Sequence, residues 1–283
     1  RAARTDSRNT LLYLWDSPPL SVRDFEKQLD ALDPKVDVTL VMVQCYAGGF
    51  ANVIYKDADP ARGLSPQPRC GFFATSAVRP AAGCTPDIDR EDYEEFSTDF
   101  FAALSGKTRT GEAITKPDYN GDGVTSLAEA FTYVVIHSNT IDIPMTTSDQ
   151  WLRDNSGFAS DLHPDWMGRS ARYPVVLAAA SANQRAALAA LSGPLGLTGD
   201  DRLSDARLLA RSIDQQRARL QRTHRQAGRA LGELCSRLRD AVAMRWPELD
   251  IPWDPETPGI LAKEGEAIRR FVTAQPSYEP LLA

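Results

Sequence analysis

The chain has 283 residues and a mass of 31.1 kDa, with 42% apolar and 25% charged residues, the balance of an ordinary globular protein rather than a disordered or fibrous one. A net charge of −6 and a pI near 5.2 argue against a nucleic-acid-coating surface, and no apolar run approaches the ~20 residues that cross a bilayer. Four cysteines, Cys45, Cys70, Cys84 and Cys235, are too few for a disulfide-built scaffold; they leave the redox compartment open and leave room for a reactive thiol. The chain opens Arg1-Ala2-Ala3-Arg4 with no initiator Met, which reads as a processed or trimmed product whose targeting segment is out of view.

In chain order, residues 11–15 (LLYLW) read as a strand, closed by a turn at Asp16-Ser17-Pro18-Pro19 because neither proline can continue a ladder. Ser21 followed by Asp24 opens a helix whose inner face carries Phe25, Leu29 and Leu32, and Pro34 stops it. Residues 36–44 (VDVTLVMVQ) carry one charge, near the start, and predict a central strand buried on both faces. Residues 70–76 (CGFFATS) predict the next strand. Helices follow over 93–104, with Phe96, Phe100 and Leu104 on one face, and from Ser126 through Phe131 and Val134 toward His137. Strands alternating with helices predict an α/β domain over residues 1–172, with a mainly parallel sheet.

Composition changes after about Arg172. From Pro174 onward there are 15 Lys and Arg against 13 Asp and Glu, so this part is +2 and the remainder −8. Residues 173–283 form an α-helical C-terminal extension in this reading. Residues 202–245 predict one long helix or a helix pair with a wandering apolar stripe, eleven arginines and four acids; Gly228 and Gly232 weaken its middle. Without interleaved aromatics, its basic face is expected to be solvated or to dock on the acidic domain, and its stripe to be taken up by packing. The five tryptophans are expected to be core or loop anchors. A short helix over 261–272 closes the chain.

The sharpest feature is Gln44-Cys45-Tyr46-Ala47-Gly48-Gly49-Phe50, at the carboxyl end of the most apolar strand, where open α/β sheets collect ligands and catalytic groups. A thiol there can face a cleft, the two glycines allow close backbone approach, and the amides of the turn can stabilise an oxyanion. The bland alternative is a buried Cys before a glycine-rich turn.

Residues 36–50 (VDVTLVMVQCYAGGF) resemble the nucleophile strand of caspase-like cysteine peptidases of the legumain type (peptidase C13-like) and their bacterial relatives. Residues 9–32 resemble the hairpin and helix between that family's catalytic His-Gly and its Cys. Residues 70–104 resemble the strand and helix that shape its specificity pocket. The resemblance covers about residues 9–150. It implies a three-layer α/β/α fold and a Cys-His dyad endopeptidase acting on protein or peptide substrates without an organic cofactor. Cys45 matches the nucleophile, the Cys45 amide one oxyanion donor, and Gly48 and Gly49 the small residues behind it. By position, Ser76 and Asp99 face the first-subsite pocket, although Asp99 also suits a solvated helix acid. Ala47 stands where the family more often has Ser. The family's base does not carry over: no His precedes Cys45, and His137, His163 and His224 all follow it. The resemblance therefore implies a His upstream of this chain, or a catalytically inactive homologue serving as a calcium-stabilised binding or assembly module. Cys70 and Cys84, fourteen apart, could form a disulfide if the protein is exported.

The second motif fits D-x-[DN]-x-[DN]-G-x5-E from Asp118 to Glu129. It supplies oxygen ligands from Asp118, Asn120, Asp122, the Val124 carbonyl, Ser126 and Glu129, with Gly123 at the sharp turn, and predicts a single structural Ca2+ site. The alternative is an Asn-Gly/Asp-Gly turn followed by a helix cap at Ser126 and Glu129.

Overall fold

The computed structural model describes residues 6–82, 94–156, 167–168, 171–251 and 253–282. The protein is mixed α/β. Its contacts divide it into two compact units, Arg1–Ala206 and Arg207–Ala283. The division falls later than residue 172 because the first helices of the expected extension pack on the α/β part.

In the first unit, β1 (Leu11–Leu12) and β2 (Leu20–Ser21) form a small antiparallel hairpin across the Pro18-Pro19 turn. Ser21 caps α1 (Val22–Asp30), its hydroxyl accepting the Asp24 N–H as the sequence predicts. The main sheet has three strands in the order β3-β4-β5: β3 (Val38–Met42), β4 (Arg69–Phe73) and β5 (Met145–Thr146). β3 pairs with β4 in parallel, Val38 opposite Arg69, and β4 pairs with β5 antiparallel, Phe73 opposite Met145. Two expectations are corrected here. The sheet is not mainly parallel, since one of its two pairings is antiparallel and the β1–β2 hairpin stands apart from it. Nor is β3 central: among the described residues it bonds to β4 alone, Thr39 is exposed, and the fully flanked strand is β4.

Alternation along the strands divides the core between the two faces of the sheet. Phe73, with Val38, Leu40 and Met42 beside it, packs with α1 residues Val22 and Leu29 and with Phe50 and Val53 of a 3-10 segment, Ala47–Ile54. Phe72 and Ala74, with Val41, Val43 and Cys45, pack instead with Phe96 and Phe100 of α2 (Phe96–Ser105) and Ala130 and Val134 of α3 (Leu127–His137). Helical segments thus cover both faces. α4 (Thr147–Asn155) follows β5, then α5 (Tyr173–Ala179) and α6 (Ala182–Ser192), and α6 packs on α3.

One buried ion cluster ties the first face together. Arg69 on β4 meets Glu26 of α1 at 3.4 Å and also pairs with Asp30, while donating to the Val53 carbonyl at 2.7 Å and to Gln67 at 2.7 Å. Burial, with the neighbouring Asp30 adding to it, pushes the Glu26 carboxyl above its ordinary value against the pull of Arg69.

α7 (Arg202–Arg245) is a single helix of 44 residues, unbroken at Gly228 and Gly232, and not one of its residues is buried. Among the described residues its stripe is only partly absorbed by packing: Leu203, Leu209, Leu234, Leu238 and Val242 are half-buried and Ile213, Leu220 and Leu231 exposed, which corrects that expectation. In the second unit, Trp246 packs edge-on to Phe271 of α8 (Thr257–Thr273) and donates to Glu264 at 2.6 Å, and α9 (Glu279–Leu282) ends the chain. Trp246 is an anchor as expected. Trp15 and Trp253 are not, being 97% and 84% exposed. Among the described residues no helix is long and apolar enough to cross a membrane.

Candidate functional site

Cys45 lies just beyond the carboxyl end of β3, and the turn that follows is fixed from several distant points. Tyr46 adopts a left-handed backbone conformation (φ 59°), which costs a non-glycine residue about 1–3 kcal/mol and persists only where the surroundings over-determine it. Here they do. The Tyr46 N–H donates to the Arg79 carbonyl at 2.9 Å, the Gly48 N–H to the Thr75 carbonyl at 2.9 Å, and the Thr10 hydroxyl to the Tyr46 carbonyl at 3.3 Å. The Cys45 thiol sits against Ala81, whose N–H donates to Sγ at 3.3 Å.

The two glycines are present for space. A Cβ on Gly48 would lie 2.8 Å from the Ser76 Cα and the Ala77 nitrogen, and one on Gly49 would lie 2.3 Å from the Thr10 hydroxyl oxygen. Their amides point inward, Gly48 to Thr75 and Gly49 to the Tyr46 carbonyl. They shape the turn and are not oxyanion donors in this geometry.

Ser76 is buried directly behind Gly48, close to the turn that carries Cys45. Asp99 lies on α2, which packs on the face of the sheet that carries Cys45. It sits in the first turn of α2, where burial, with the charge of Glu94 adding, pushes its carboxyl up and His137 opposes the shift. The His137 ring lies over Tyr133, centroids 4.1 Å apart, consistent with a structural role at the end of α3. His163 and Cys84 lie outside the described residues. Cys70 carries a free thiol 3.3 Å from the Thr39 hydroxyl.

One residue beside the thiol was missed from the sequence. Asp142 accepts the Ala82 N–H at 2.7 Å, so the thiol and this carboxylate are held by successive amides of one turn. Its Oδ2 is buried with no hydrogen-bond partner among the described residues, and burial raises its carboxyl despite the Ala82 and Phe96 amides. In the sequence, Asp142 sits in an Ile-Asp-Ile stretch with no motif around it, and only tertiary contact marks it.

The loop from Asp118 to Glu129 is built from its own polar groups. Asp118 accepts from the N–H groups of Gly121, Asp122 and Gly123 at 2.7, 3.0 and 2.9 Å. Asn120 and Asp122 accept from the next-but-one amides, and Gly121 and Gly123 take positive φ. Glu129 is buried and accepts from Tyr119, Asn120 and Ser126, completing a capping box with Ser126. Burial alone would raise its carboxyl, but these bonds outweigh it and hold it below the ordinary glutamate value. Val124 is exposed on the same loop. The hard oxygens suit calcium in kind; Asp118 Oδ2 and both Asp122 oxygens each accept one bond and keep a second lone pair, whereas Asp118 Oδ1 and both Glu129 oxygens already accept two. No three His, Cys, Asp or Glu side chains converge as a metal cage among the described residues.

The fold and the site define a mixed α/β protein with a cysteine on a pre-shaped turn at a strand end. Comparisons with family models, with curated proteins and with solved structures find no match to the chain.

Proposed function

We propose that this chain is the nucleophile-bearing part of a caspase-like cysteine endopeptidase of the legumain type, acting on protein or peptide substrates. The observation that carries the reading is the setting of Cys45: a thiol at the carboxyl end of a parallel strand, next to a strained residue, against a backbone N–H. In this reading the Cys45 sulfur attacks the scissile carbonyl and its main-chain amide faces the oxyanion. Ser76 and Asp142 flank the side chain that precedes the cut. The base is a histidine upstream of this chain, delivered on a strand added to the edge of β3 that is unpaired among the described residues, where a base is needed to take and return the proton. Peptide hydrolysis by the native, full-length protein tests this. Activity is expected to fall to background in Cys45→Ala, and hydrolysis that survives the substitution overturns the assignment.

A second reading is favoured by the inward-facing Gly48 and Gly49 amides: a catalytically inactive relative serving as a calcium-stabilised binding or assembly module. A native protein that carries no upstream His and cleaves no peptide would select it. In both readings we propose that Asp118, Asn120, Asp122, Ser126, Glu129 and the Val124 carbonyl hold a structural Ca2+. Chelation then lowers the Tm, since an ion bound only by the folded state stabilises it by mass action. An unchanged Tm leaves the loop as a hydrogen-bonded turn.

A further inference from the structure

α7 presents a surface that neither reading uses. It rises about 66 Å from end to end, and Ile213, Leu220 and Leu231 are 45%, 69% and 51% exposed. Stepping by alternate threes and fours from Ala210 to Leu238 lands on an apolar residue at every position except Arg217 and His224. That 3.5-residue period is the seam of a left-handed coiled coil, sustained here for four heptads. The arginines lie almost entirely off the seam. Between Ala210 and Leu238 the positions flanking it carry only Asp214 and Arg237, which leaves no strongly basic strip for an acidic partner to match.

We infer that α7 pairs with α7 of a second copy of this chain, antiparallel, about a two-fold axis at the level of Arg222. In this register each a residue meets a d residue. Ala210 faces the partner's Leu234, Arg217 the partner's Ala227, and Leu231 the partner's Ile213. A small side chain thus stands opposite each of two larger ones, as close packing of a seam requires. His224 faces the partner's Leu220. A parallel, in-register pair would instead set Arg217 against the partner's Arg217 and His224 against the partner's His224, like against like at the apolar seam. Polar a residues select register in this way. From Ala206 to Leu238 the seam is about 50 Å long, and a strip one helix wide on both copies buries about 1,000 Å2, the size at which specific interfaces begin.

Light scattering on the native protein at up to about 100 µM tests the pairing. It is expected to return twice the 31.1 kDa protomer mass. The double variant Leu220→Lys/Leu231→Lys is expected to return the protomer mass, and Arg222→Ser, off the seam, to leave the dimer intact. In a Cys70→Ser/Cys235→Ser background, which removes the exposed native thiols, chains carrying Ala210→Cys and chains carrying Leu234→Cys should become disulfide-linked dimers only when mixed. A monomeric native protein, or a dimer that survives the lysine pair, overturns the proposal. Cross-linking of the Ala210→Cys chain with itself overturns the antiparallel register.

Discussion

The turn after β3 and the loop from Asp118 to Glu129 are both short, glycine-bearing and rich in hydrogen bonds, yet they are held by opposite means. The Cys45 turn takes its partners from Thr10, Thr75, Arg79 and Ala81, each about thirty residues or more away in the chain. The loop takes its partners from itself: every bond of Asp118, Asn120, Asp122 and Glu129 described above closes within about ten residues. The first is therefore a product of the packed sheet and should change with it. The second is a local structure that should be indifferent to distant changes.

The strongest way to break this contrast is Arg69→Ala. It leaves Glu26 buried without its cation, costs about 3–5 kcal/mol, and is expected to lower the urea midpoint and speed alkylation of Cys45. Gly48→Ala acts at closer range. A methyl group there meets the Ser76 and Ala77 backbone, which cannot yield as a flexible side chain would, so about 1–3 kcal/mol should be lost. The Cys45 alkylation rate should change with it. Ser126→Ala removes a helix cap and costs about 1 kcal/mol, and here the Cys45 alkylation rate should stay at its native value. A shift there would mean that the loop and the turn are coupled.

Acid titration sharpens the comparison most gently. The Glu129 carboxyl titrates below its ordinary 4.5, so its stabilising contribution is complete above that pH and lost as pH falls through the folded value. Glu26 runs the other way: its raised carboxyl makes its contribution to stability fall as pH rises from the ordinary 4.5 through the folded value. Unfolding midpoints from pH 3 to pH 6 (about one unit either side of the carboxylate range) should therefore show a shallower acid limb in Glu129→Gln.

Much was legible along the chain because it rests on local chemistry. Ser21 before Asp24, Ser126 before Glu129 and the Phe96–Phe100 spacing each write a helix into a few consecutive residues, and each helix is found where its cap or period sets it. The loop spacing from Asp118 and the strand-then-Cys pattern at Cys45 were visible for the same reason. The apolar run of β3 misled, since apolarity reports burial against helices as readily as a central place in a sheet. Partners decide strand order, and β1 finds its partner in β2 rather than in the main sheet. Tertiary structure alone turned the Gly48 and Gly49 amides inward, placed Asp142 on the amide next to the one that meets the thiol, set Asp99 near His137 and left Ile213, Leu220 and Leu231 of α7 exposed. Each of these depends on which distant residue arrives next to it, and no window of consecutive residues contains that information.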